Sequence, residues 1–210
     1  GMPMLELRGH SRAVYGVAQD SQGGGGAGGG RLVLSCSADQ TIRLWDVAVA
    51  QCVGRYDCAS PAWGVSFSPL GYHFASAHQA NTACVWATDR THPLRLLGGH
   101  LSDVTCIAWH ATATLLATGS DDKTARLWDI RSGSSARLLR GSGAPLSCVA
   151  ISPLGNLMAA GTDGGRVLVW DLTSSRLLGV LVGHRGVVHS VAFSADGGAL
   201  TSGGADCSVR

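Results

Sequence analysis

Histidine, a hydroxyl residue and aspartate recur together in this 210-residue chain at nearly fixed spacing. In one copy, His100 precedes Thr118 by 18 positions, and Thr118 precedes Asp122 by 4. The same offsets separate a second set of three residues, His184, Ser202 and Asp206. These residue types could supply the base, the nucleophile and the orienting acid of a hydrolase. An enzyme needs such a nucleophile once, in one cleft, whereas here the whole group is repeated. The repetition therefore favours a structural role.

Tryptophans set the period of the repeat. Four of the six tryptophans follow one another at intervals of 41, 42 and 42 positions, at Trp45, Trp86, Trp128 and Trp170. In the first copy His10, Ser35 and Asp39 accompany Trp45, with seven additional residues between the histidine and the serine. A glycine-rich insertion at residues 23–30 explains the excess. Repeats of 40 to 45 residues that open with Gly-His and end with Trp-Asp predict an all-β propeller, in which each blade is one small antiparallel sheet.

The most complete unit covers residues 99–129; it opens with Gly-His and ends with SDDKTARLWD. This pattern resembles the WD40 repeat, and the resemblance extends over the whole chain. It implies a hydrogen-bonded tetrad in each complete blade: the indole donates to the hydroxyl, the hydroxyl to the imidazole, and the imidazole to the carboxylate. It implies no catalytic residue, cofactor or metal. The tetrad residues expected are His10, Ser35, Asp39, Trp45, His100, Thr118, Asp122, Trp128, His184, Ser202 and Asp206.

Five repeats are expected, at approximately residues 9–46, 57–87, 99–129, 141–171 and 183–210. An outer strand of a preceding blade is expected at residues 4–8. The sequence thus predicts an incomplete propeller of about four blades plus parts of two more. Because an open propeller exposes unpaired strand edges, the chain is expected to be a piece of a longer protein.

Two of the repeats are degenerate. In the second, residues 57–60 replace the Gly-His pair and residues 78–81 replace the turn that carries Asp. We therefore expect this blade to lack both the histidine and the aspartate of the tetrad. It should be either less rigid than the others or held by apolar packing of Trp63, Phe67, Tyr72 and Phe74. In the fourth repeat Ser142 replaces the histidine, and Asp163 lies one position away from the expected place.

Composition excludes several classes of function. Charged residues make up 14% of the chain, the net charge is +2, and there is no basic run, so direct nucleic-acid binding is not expected. No apolar run of membrane-spanning length occurs. The seven cysteines form no C-x-x-C pair, and neither they nor the histidines have zinc-ligand spacing. Residues 23–30 lack the Lys-Ser/Thr of a phosphate-binding loop; they are typical of a flexible linker. No small-molecule substrate is expected.

Residues 67–106 indicate a narrower group within the WD40 family. The ending WATD in place of WD, followed by HPLR and GGHLSDV, is similar to the WD40 TBP-associated factors (TAFs), which are subunits of TFIID and in some organisms of SAGA. This resemblance implies a nuclear, non-enzymatic scaffold for RNA polymerase II transcription initiation. Its partners would be histone-fold TAFs and other TFIID or SAGA subunits. The glycine-rich insertion and the degenerate second repeat depart from that pattern.

The sequence also leaves a second class of function open. Residues 116–131 match the WDxR box of WD40 substrate receptors of cullin-RING ubiquitin ligases, in which Arg131 would contact the ligase adaptor. For the scaffold, the loops that precede the innermost strands are expected to contact partners. Exposed aromatic and arginine residues are common hot spots in interfaces. The candidates in those loops are Arg12, Tyr15, Trp63 and Arg185.

Overall fold

The computed structural model describes residues 6–20 and 32–210 of the chain. All the regular secondary structure within these ranges is β-strand. None of these residues forms a helix of the length and hydrophobicity that a membrane crossing requires. The strands are β1 (Val14–Gln19), β2 (Leu32–Ser37), β3 (Thr41–Asp46), β4 (Gln51–Asp57), β5 (Ala62–Phe67), β6 (His73–His78), β7 (Thr82–Ala87), β8 (Arg95–Gly98), β9 (Val104–Trp109), β10 (Leu115–Ser120), β11 (Ala125–Asp129), β12 (Ser134–Leu139), β13 (Leu146–Ile151), β14 (Leu157–Thr162), β15 (Arg166–Asp171), β16 (Arg176–Val182), β17 (Val188–Phe193) and β18 (Leu200–Gly204).

The strands form successive antiparallel sheets, which we call blades 1 to 5. Blades 1 to 4 each contain four strands in chain order, β1–β4, β5–β8, β9–β12 and β13–β16; blade 5 contains β17 and β18. The first strand of each blade packs against the first strand of the next. The predicted all-β class and the series of small sheets are confirmed. Residues 6–8 lie in no strand, so the strand expected at 4–8 is not observed there; residues 1–5 and the insertion at 23–30 lie outside the described residues.

The second strands of the blades explain why the chain is rich in small residues. β6, β10 and β14 are buried along almost their whole length. A strand covered on both faces does not alternate between apolar and polar residues, as a half-exposed strand does. The sequences FASAH, LLATGS and LMAAGT meet this condition because their small side chains allow neighbouring blades to approach closely.

The core consists of apolar seams between blades. Tyr56, on the outer strand of blade 1, packs edge-on against Phe74 and Trp86 of blade 2, with ring centroids 4.8 and 5.8 Å apart. Leu97 of blade 2 and Leu139 of blade 3 occupy the same register position and are fully buried against the next blade. The outer strand of each of these blades therefore covers the core of the next blade.

Part of the predicted packing of blade 2 is wrong. Phe67 and Phe74 are buried in the seam with blade 1, as expected. Tyr72, in contrast, is 63% exposed, because it precedes β6 in the turn from β5 rather than lying within the sheet. Trp63 is only partly buried and lies outside the apolar cluster. Aromatic character alone did not distinguish the core positions from the turn.

Candidate functional site

One end of every blade is built in the same way. The loop before the first strand accepts a backbone hydrogen bond from the turn between the second and third strands, at 2.8 to 3.1 Å. These bonds run from Ala38 to Ala13, from Gln79 to Pro61, from Asp121 to Asp103, from Asp163 to Pro145 and from Ala205 to Val187. We call this end of the blades the tetrad end. It carries four of the five predicted partner-binding residues.

Blade 3 has a complete tetrad at this end. The indole nitrogen of Trp128 lies 2.8 Å from the Thr118 hydroxyl oxygen, which lies 2.8 Å from Nε2 of His100. Nδ1 of His100 lies 2.8 Å from Oδ2 of Asp122. Because the indole can only donate, the threonine hydroxyl accepts from it and donates its own proton to Nε2. Nδ1 then carries the proton of a neutral imidazole and donates to the carboxylate.

The protonation states in blade 3 agree with this direction. Burial lowers the pKa of His100, although Asp122 opposes the change, so the imidazole favours its neutral form. Burial alone would raise the pKa of Asp122, but hydrogen bonds from Thr124, from the Leu101 amide and from His100 together lower it to about 2. Thr118 is fully buried, with its hydroxyl bonded on both sides. The arrangement fixes a turn and offers no open approach to the hydroxyl.

Blade 1 repeats the geometry of blade 3. The indole nitrogen of Trp45 and Nε2 of His10 both lie 2.7 Å from the Ser35 hydroxyl, and Nδ1 of His10 lies 2.9 Å from Asp39. Burial tends to raise the pKa of Asp39, but hydrogen bonds from Thr41, His10 and the backbone hold it well below its usual range. The seven extra residues between the histidine and the serine leave the tetrad intact.

Blade 5 contains three members of a tetrad. Nε2 of His184 lies 2.8 Å from the Ser202 hydroxyl, and Nδ1 lies 2.9 Å from Asp206. Hydrogen bonds from His184 and Ser208 hold the pKa of Asp206 well below its usual range. Among the described residues, no indole donates to Ser202.

Blade 2 differs from its prediction. The sequence leads us to expect no histidine in its hydrogen-bond chain, but His78 supplies one from the end of β6. Nε2 of His78 lies 2.7 Å from the Ser76 hydroxyl, which accepts from the Trp86 indole at 2.8 Å. Nδ1 of His78 lies 3.4 Å from the Ser60 carbonyl, which takes the place of the missing carboxylate. The sequence carried a signal for the hydroxyl but not for the histidine, because Ser76 precedes Trp86 by ten positions, as Thr118 precedes Trp128.

Blade 4 has no tetrad, in agreement with its sequence. Ala160 pairs with Leu168 at the register position where blade 3 has Thr118, so no hydroxyl faces Trp170. The Trp170 indole donates to the Arg140 carbonyl at 3.1 Å instead. The Ser142 hydroxyl donates locally to the Ala144 carbonyl. Backbone acceptors thus replace the side-chain network.

Arginines complete the tetrads of blades 1 and 3, and the sequence interpretation did not assign them this role. The guanidinium carbons of Arg43 and Arg126 lie 5.8 and 5.7 Å from the ring centroids of Trp45 and Trp128, within cation–π range. The opening glycines leave room for these arginines. A Cβ on Gly9 would lie 2.4 Å from an Arg43 nitrogen. Arginine two positions before tryptophan was the signal in the sequence.

An aromatic pair joins three blades at the tetrad end. Tyr15 of blade 1 is half exposed, and its ring centroid lies 4.6 Å from that of Trp63 in blade 2. The Trp63 indole donates to Asp103, before blade 3, at 3.3 Å. Of the predicted partner-binding residues, only these two are in contact. Arg12 and Arg185 are exposed separately, in blades 1 and 5.

Negative charge gathers beside this pair. The pKa of Asp121 is raised, first by burial and then by the charges of Asp103, Asp163 and Asp122.

Arg131, the fifth predicted partner-binding residue, lies at the opposite end of blade 3. It is exposed in the turn between β11 and β12, where its amide donates to Asp129 at 2.9 Å. Across the described residues, no group of three or more histidine, cysteine, aspartate or glutamate side chains could hold a metal ion.

The chain was compared with protein-family profiles and with known proteins. The profile of the WD40 family, described as "WD domain, G-beta repeat", matches residues 1–46, 91–129, 133–171 and 175–210, which is more than half of the chain. The stretch it omits contains the degenerate second repeat. Subunit 5 of transcription initiation factor TFIID from Caenorhabditis elegans is 39% identical over 93 residues, covering 44% of this chain and 14% of that protein.

Other similar proteins have different names. Human apoptotic protease-activating factor 1 is 29% identical over 119 residues, covering 55% of this chain and 9% of that protein. The homologue of the ribosome biogenesis protein WDR12 from Nematostella vectensis is 33% identical over 99 residues, covering 44% of this chain and 24% of that protein. This chain thus spans less than a quarter of the length of each of these relatives.

Proposed function

Because this chain belongs to the WD40 repeat family, we propose that it is a non-enzymatic scaffold for protein–protein contacts within a TFIID-type transcription initiation assembly in the nucleus. Its partners in this proposal are histone-fold TAFs and other subunits of TFIID or of the related SAGA assembly. The observation that carries the scaffold role is the tetrad end, where buried hydrogen-bond chains hold the loops that present exposed side chains.

The tetrads support the scaffold role through rigidity. The Asp122 carboxylate receives hydrogen bonds from its own turn and from the Leu101 amide, in the loop before the first strand. Asp39 and Asp206 do the same in blades 1 and 5 through the amides of Ser11 and Arg185. Loops fixed before binding lose less conformational entropy when a partner arrives.

The chemistry of the surface defines the kind of partner segment that fits. Tyr15 offers a half-exposed ring tilted against the ring of Trp63, and carboxylates of Asp103 and Asp121 lie on the neighbouring blade. An aromatic surface beside acidic groups favours a basic side chain flanked by an apolar one. We therefore place the partner contact across blades 1 to 3.

The assignment to TFIID is supported by the identity of 39% with TFIID subunit 5. It is also supported by the motifs at residues 67–106, which cover the latter part of the degenerate second repeat and the beginning of the complete third repeat. Degenerate segments distinguish one WD40 protein from another better than the shared consensus does.

Purification of the tagged chain from nuclear extract, with mass spectrometry of the captured proteins, tests this proposal. TBP and histone-fold TAFs are the expected partners. Tyr15→Ala should reduce their recovery, whereas Tyr72→Ala should not, because Tyr72 is an exposed tyrosine at the opposite end of blade 2. Equal recovery with both variants would exclude the proposed surface.

The ubiquitin-ligase alternative gives a different result in the same experiment. A cullin and its adaptor would be captured in place of TAFs, and Arg131→Ala would abolish their recovery. Arg131 is exposed at the end opposite the tetrads, so the two functions would use separate surfaces. Recovery of TAFs that does not depend on Arg131 would support the scaffold.

A further inference from the structure

Blades 2 and 3 enclose an apolar pocket at the end opposite the tetrads. The pocket has a volume of about 330 Å³, and binding sites usually measure about 300 to 1,000 Å³. Both blades have four strands, so the pocket lies within a complete seam. The residues that line it include Leu70, Val85 and Leu94 of blade 2 and Trp109, Ala113 and Ile130 of blade 3.

The neighbouring seam, between blades 3 and 4, shows why this pocket is open. Ser68 and His110 occupy the same place after the first strand of their blades, because the amide of each donates to the residue that opens the second strand. Nε2 of His110 lies 2.9 Å from the carbonyl oxygen of Gly155 in blade 4, so the imidazole crosses that seam. A Cβ on Gly155 would overlap this nitrogen. Blade 3 has Ala113 in place of that glycine, and Ser68 is too short to cross.

A second difference leaves a guanidinium without a partner from the next blade. Arg95 and Arg137 occupy the same register position on the outer strands of blades 2 and 3. Arg137 donates to the Ser175 hydroxyl in the β15–β16 turn of blade 4, at 2.8 Å. Blade 3 has Gly133 at this place in its own turn, and a Cβ there would lie 3.4 Å from Cδ of Arg95. Arg95 donates to the carbonyl of the preceding residue instead, and within the described ranges it forms no ion pair.

The walls of the pocket define what fits into it. Val85 and Trp109 are largely buried, whereas Leu70 is 66% exposed, so the apolar wall extends from the interior to the surface. Among the described residues that line the pocket, none is acidic, and Arg95 contributes a positive charge. An apolar cavity beside an unpaired guanidinium is complementary to an apolar side chain next to a carboxylate.

We propose that this pocket binds an extended partner segment in which a leucine or phenylalanine lies next to an aspartate or glutamate. The apolar side chain enters the pocket between blades 2 and 3, and the carboxylate pairs with Arg95. The contact lies at the end opposite Tyr15 and Trp63, so it is a second interaction surface, independent of the one at the tetrad end.

Four blocked peptides are the probes. GSELDSG and GSEFDSG carry the proposed combination, GSEADSG lacks the large apolar side chain, and GSQLNSG lacks the carboxylates. Titrated into the isotope-labelled chain, the first two should shift the indole N–H signal of Trp109 and the backbone signals of Ala113 and Ile130. The alanine peptide should bind at least about tenfold more weakly than the leucine peptide. The amide peptide should bind about threefold more weakly, because an exposed ion pair contributes little.

Two variants copy the features of the neighbouring seam. Ser68→His combined with Ala113→Gly should fill the pocket and weaken the leucine peptide at least about tenfold. Gly133→Ser should give Arg95 the acceptor that Arg137 has; Ser175 already adopts this left-handed conformation, with a φ of 59°. This variant should weaken the leucine peptide about threefold and leave the amide peptide unchanged.

Ser175→Gly is the matched control, since it alters the equivalent turn of blade 4 and should change the binding of neither peptide. Melting temperatures and the signals of blades 1 and 4 report whether each variant is folded. If the double variant does not fold, Gly133→Ser still tests the pairing with Arg95, and the alanine peptide tests the pocket.

Four results would overturn the proposal. The first is that neither the leucine nor the phenylalanine peptide shifts the Trp109 signal at concentrations on the order of 1 mM. The second is that the alanine peptide binds as tightly as the leucine peptide. The third is equal binding of the acidic and amide peptides to the wild-type chain. The fourth is a Trp109 signal that moves when the chain alone is diluted, which would mean that a second copy fills the pocket.

Discussion

Nε2 of His78 lies 2.7 Å from the hydroxyl of Ser76, two positions earlier in the same strand. Side chains at positions i and i+2 point to the same face of a strand, which makes this contact possible. In blade 3 the same hydrogen bond is made by His100, which reaches Thr118 from a different segment, 18 positions earlier. Blade 2 thus retains its indole–hydroxyl–imidazole chain without the usual Gly-His pair.

His78→Ala should therefore destabilise the protein by about 1–3 kcal/mol, because it leaves the proton of the buried Ser76 hydroxyl without its acceptor. His73→Ala is the matched control, since His73 lies on the same strand and is exposed. Thermal unfolding of both variants measures the difference. Equal melting temperatures for the two would show that His78 contributes no stabilising contact.

Asp122→Ala should lower the free energy of unfolding by about 1–3 kcal/mol, because the buried His100 imidazole and the Leu101 amide lose their acceptor. Asp163→Ala should have little effect, since Asp163 is exposed in the corresponding turn of a blade without a tetrad. Chemical denaturation distinguishes the two. An Asp122 variant as stable as the wild type would contradict the structural role of the tetrad.

Two adjacent glycines provide a test of the opening of the repeat. A Cβ on Gly99 would lie 3.2 Å from Arg126 and 3.3 Å from Trp128, and its φ of +153° disfavours other residues. A Cβ on Gly98 would meet nothing within 4 Å. Gly99→Ala should destabilise the protein by about 1–3 kcal/mol more than Gly98→Ala. Similar unfolding midpoints would mean that the arginine side chain moves aside at no cost.

Acid should destabilise the protein in two steps. Burial lowers the pKa of His78 and His100 below 6.5, so the unfolded chain takes up protons first and the free energy of unfolding falls as the pH drops below that value. Asp122, with a pKa of about 2 against 3.8, adds a second loss as the pH falls through this lower interval. Melting temperatures between about pH 7.5 and about pH 5 measure the first step. A variant with asparagine at positions 78 and 100 should lose less melting temperature per pH unit over this range. An unchanged dependence would show that His78 and His100 do not cause the first step.

Deletion of residues 23–30 should leave stability and partner recovery intact. The amide of Asp20 donates to the carbonyl of Leu32 at 3.0 Å, so a backbone contact closes the base of this connection. A shorter connection also lowers the entropy cost of closing the loop. Melting temperature and nuclear-extract capture are the measurements. A loss of partners at unchanged stability would assign the insertion a direct role in binding.

The sequence allowed prediction of the fold because the repeat has a fixed period. It allowed prediction of the contacts in blades 1, 3 and 5 because the His, Ser/Thr and Asp pattern resembles the WD40 repeat, although seven additional residues separate His10 from Ser35 in blade 1. It did not allow prediction of His78, whose histidine comes from within a strand rather than from the preceding loop. The exposure of Tyr72 was also not predictable from residue type. Whether an aromatic side chain enters a seam depends on the exact end of its strand, and strand ends are poorly defined in a sequence.

The positions of the proposed partner-binding residues were predictable only in part. Arg12 and Arg185 lie in loops at the expected end. Tyr15 and Trp63 also lie at that end, but as the second residues of β1 and β5 rather than in the loops where they were predicted. The contact of Tyr15 with Trp63 depends on how adjacent blades pack, which the repeat period does not specify. The cation–π contacts of Arg43 with Trp45 and of Arg126 with Trp128 were also not predictable from the repeat period.

The tetrads and the apolar seams link the chain in different directions. Each tetrad is drawn from a single blade and the loop that leads into it, so its absence is confined to that blade, and blade 4 lacks a tetrad although blade 3 beside it has a complete one. The contact of Tyr56 with Phe74 and Trp86 instead ties one blade to the next. A blade exchanged between related proteins should therefore be moved together with the outer strand that precedes it, since that strand makes the contacts that couple the unfolding of neighbouring blades.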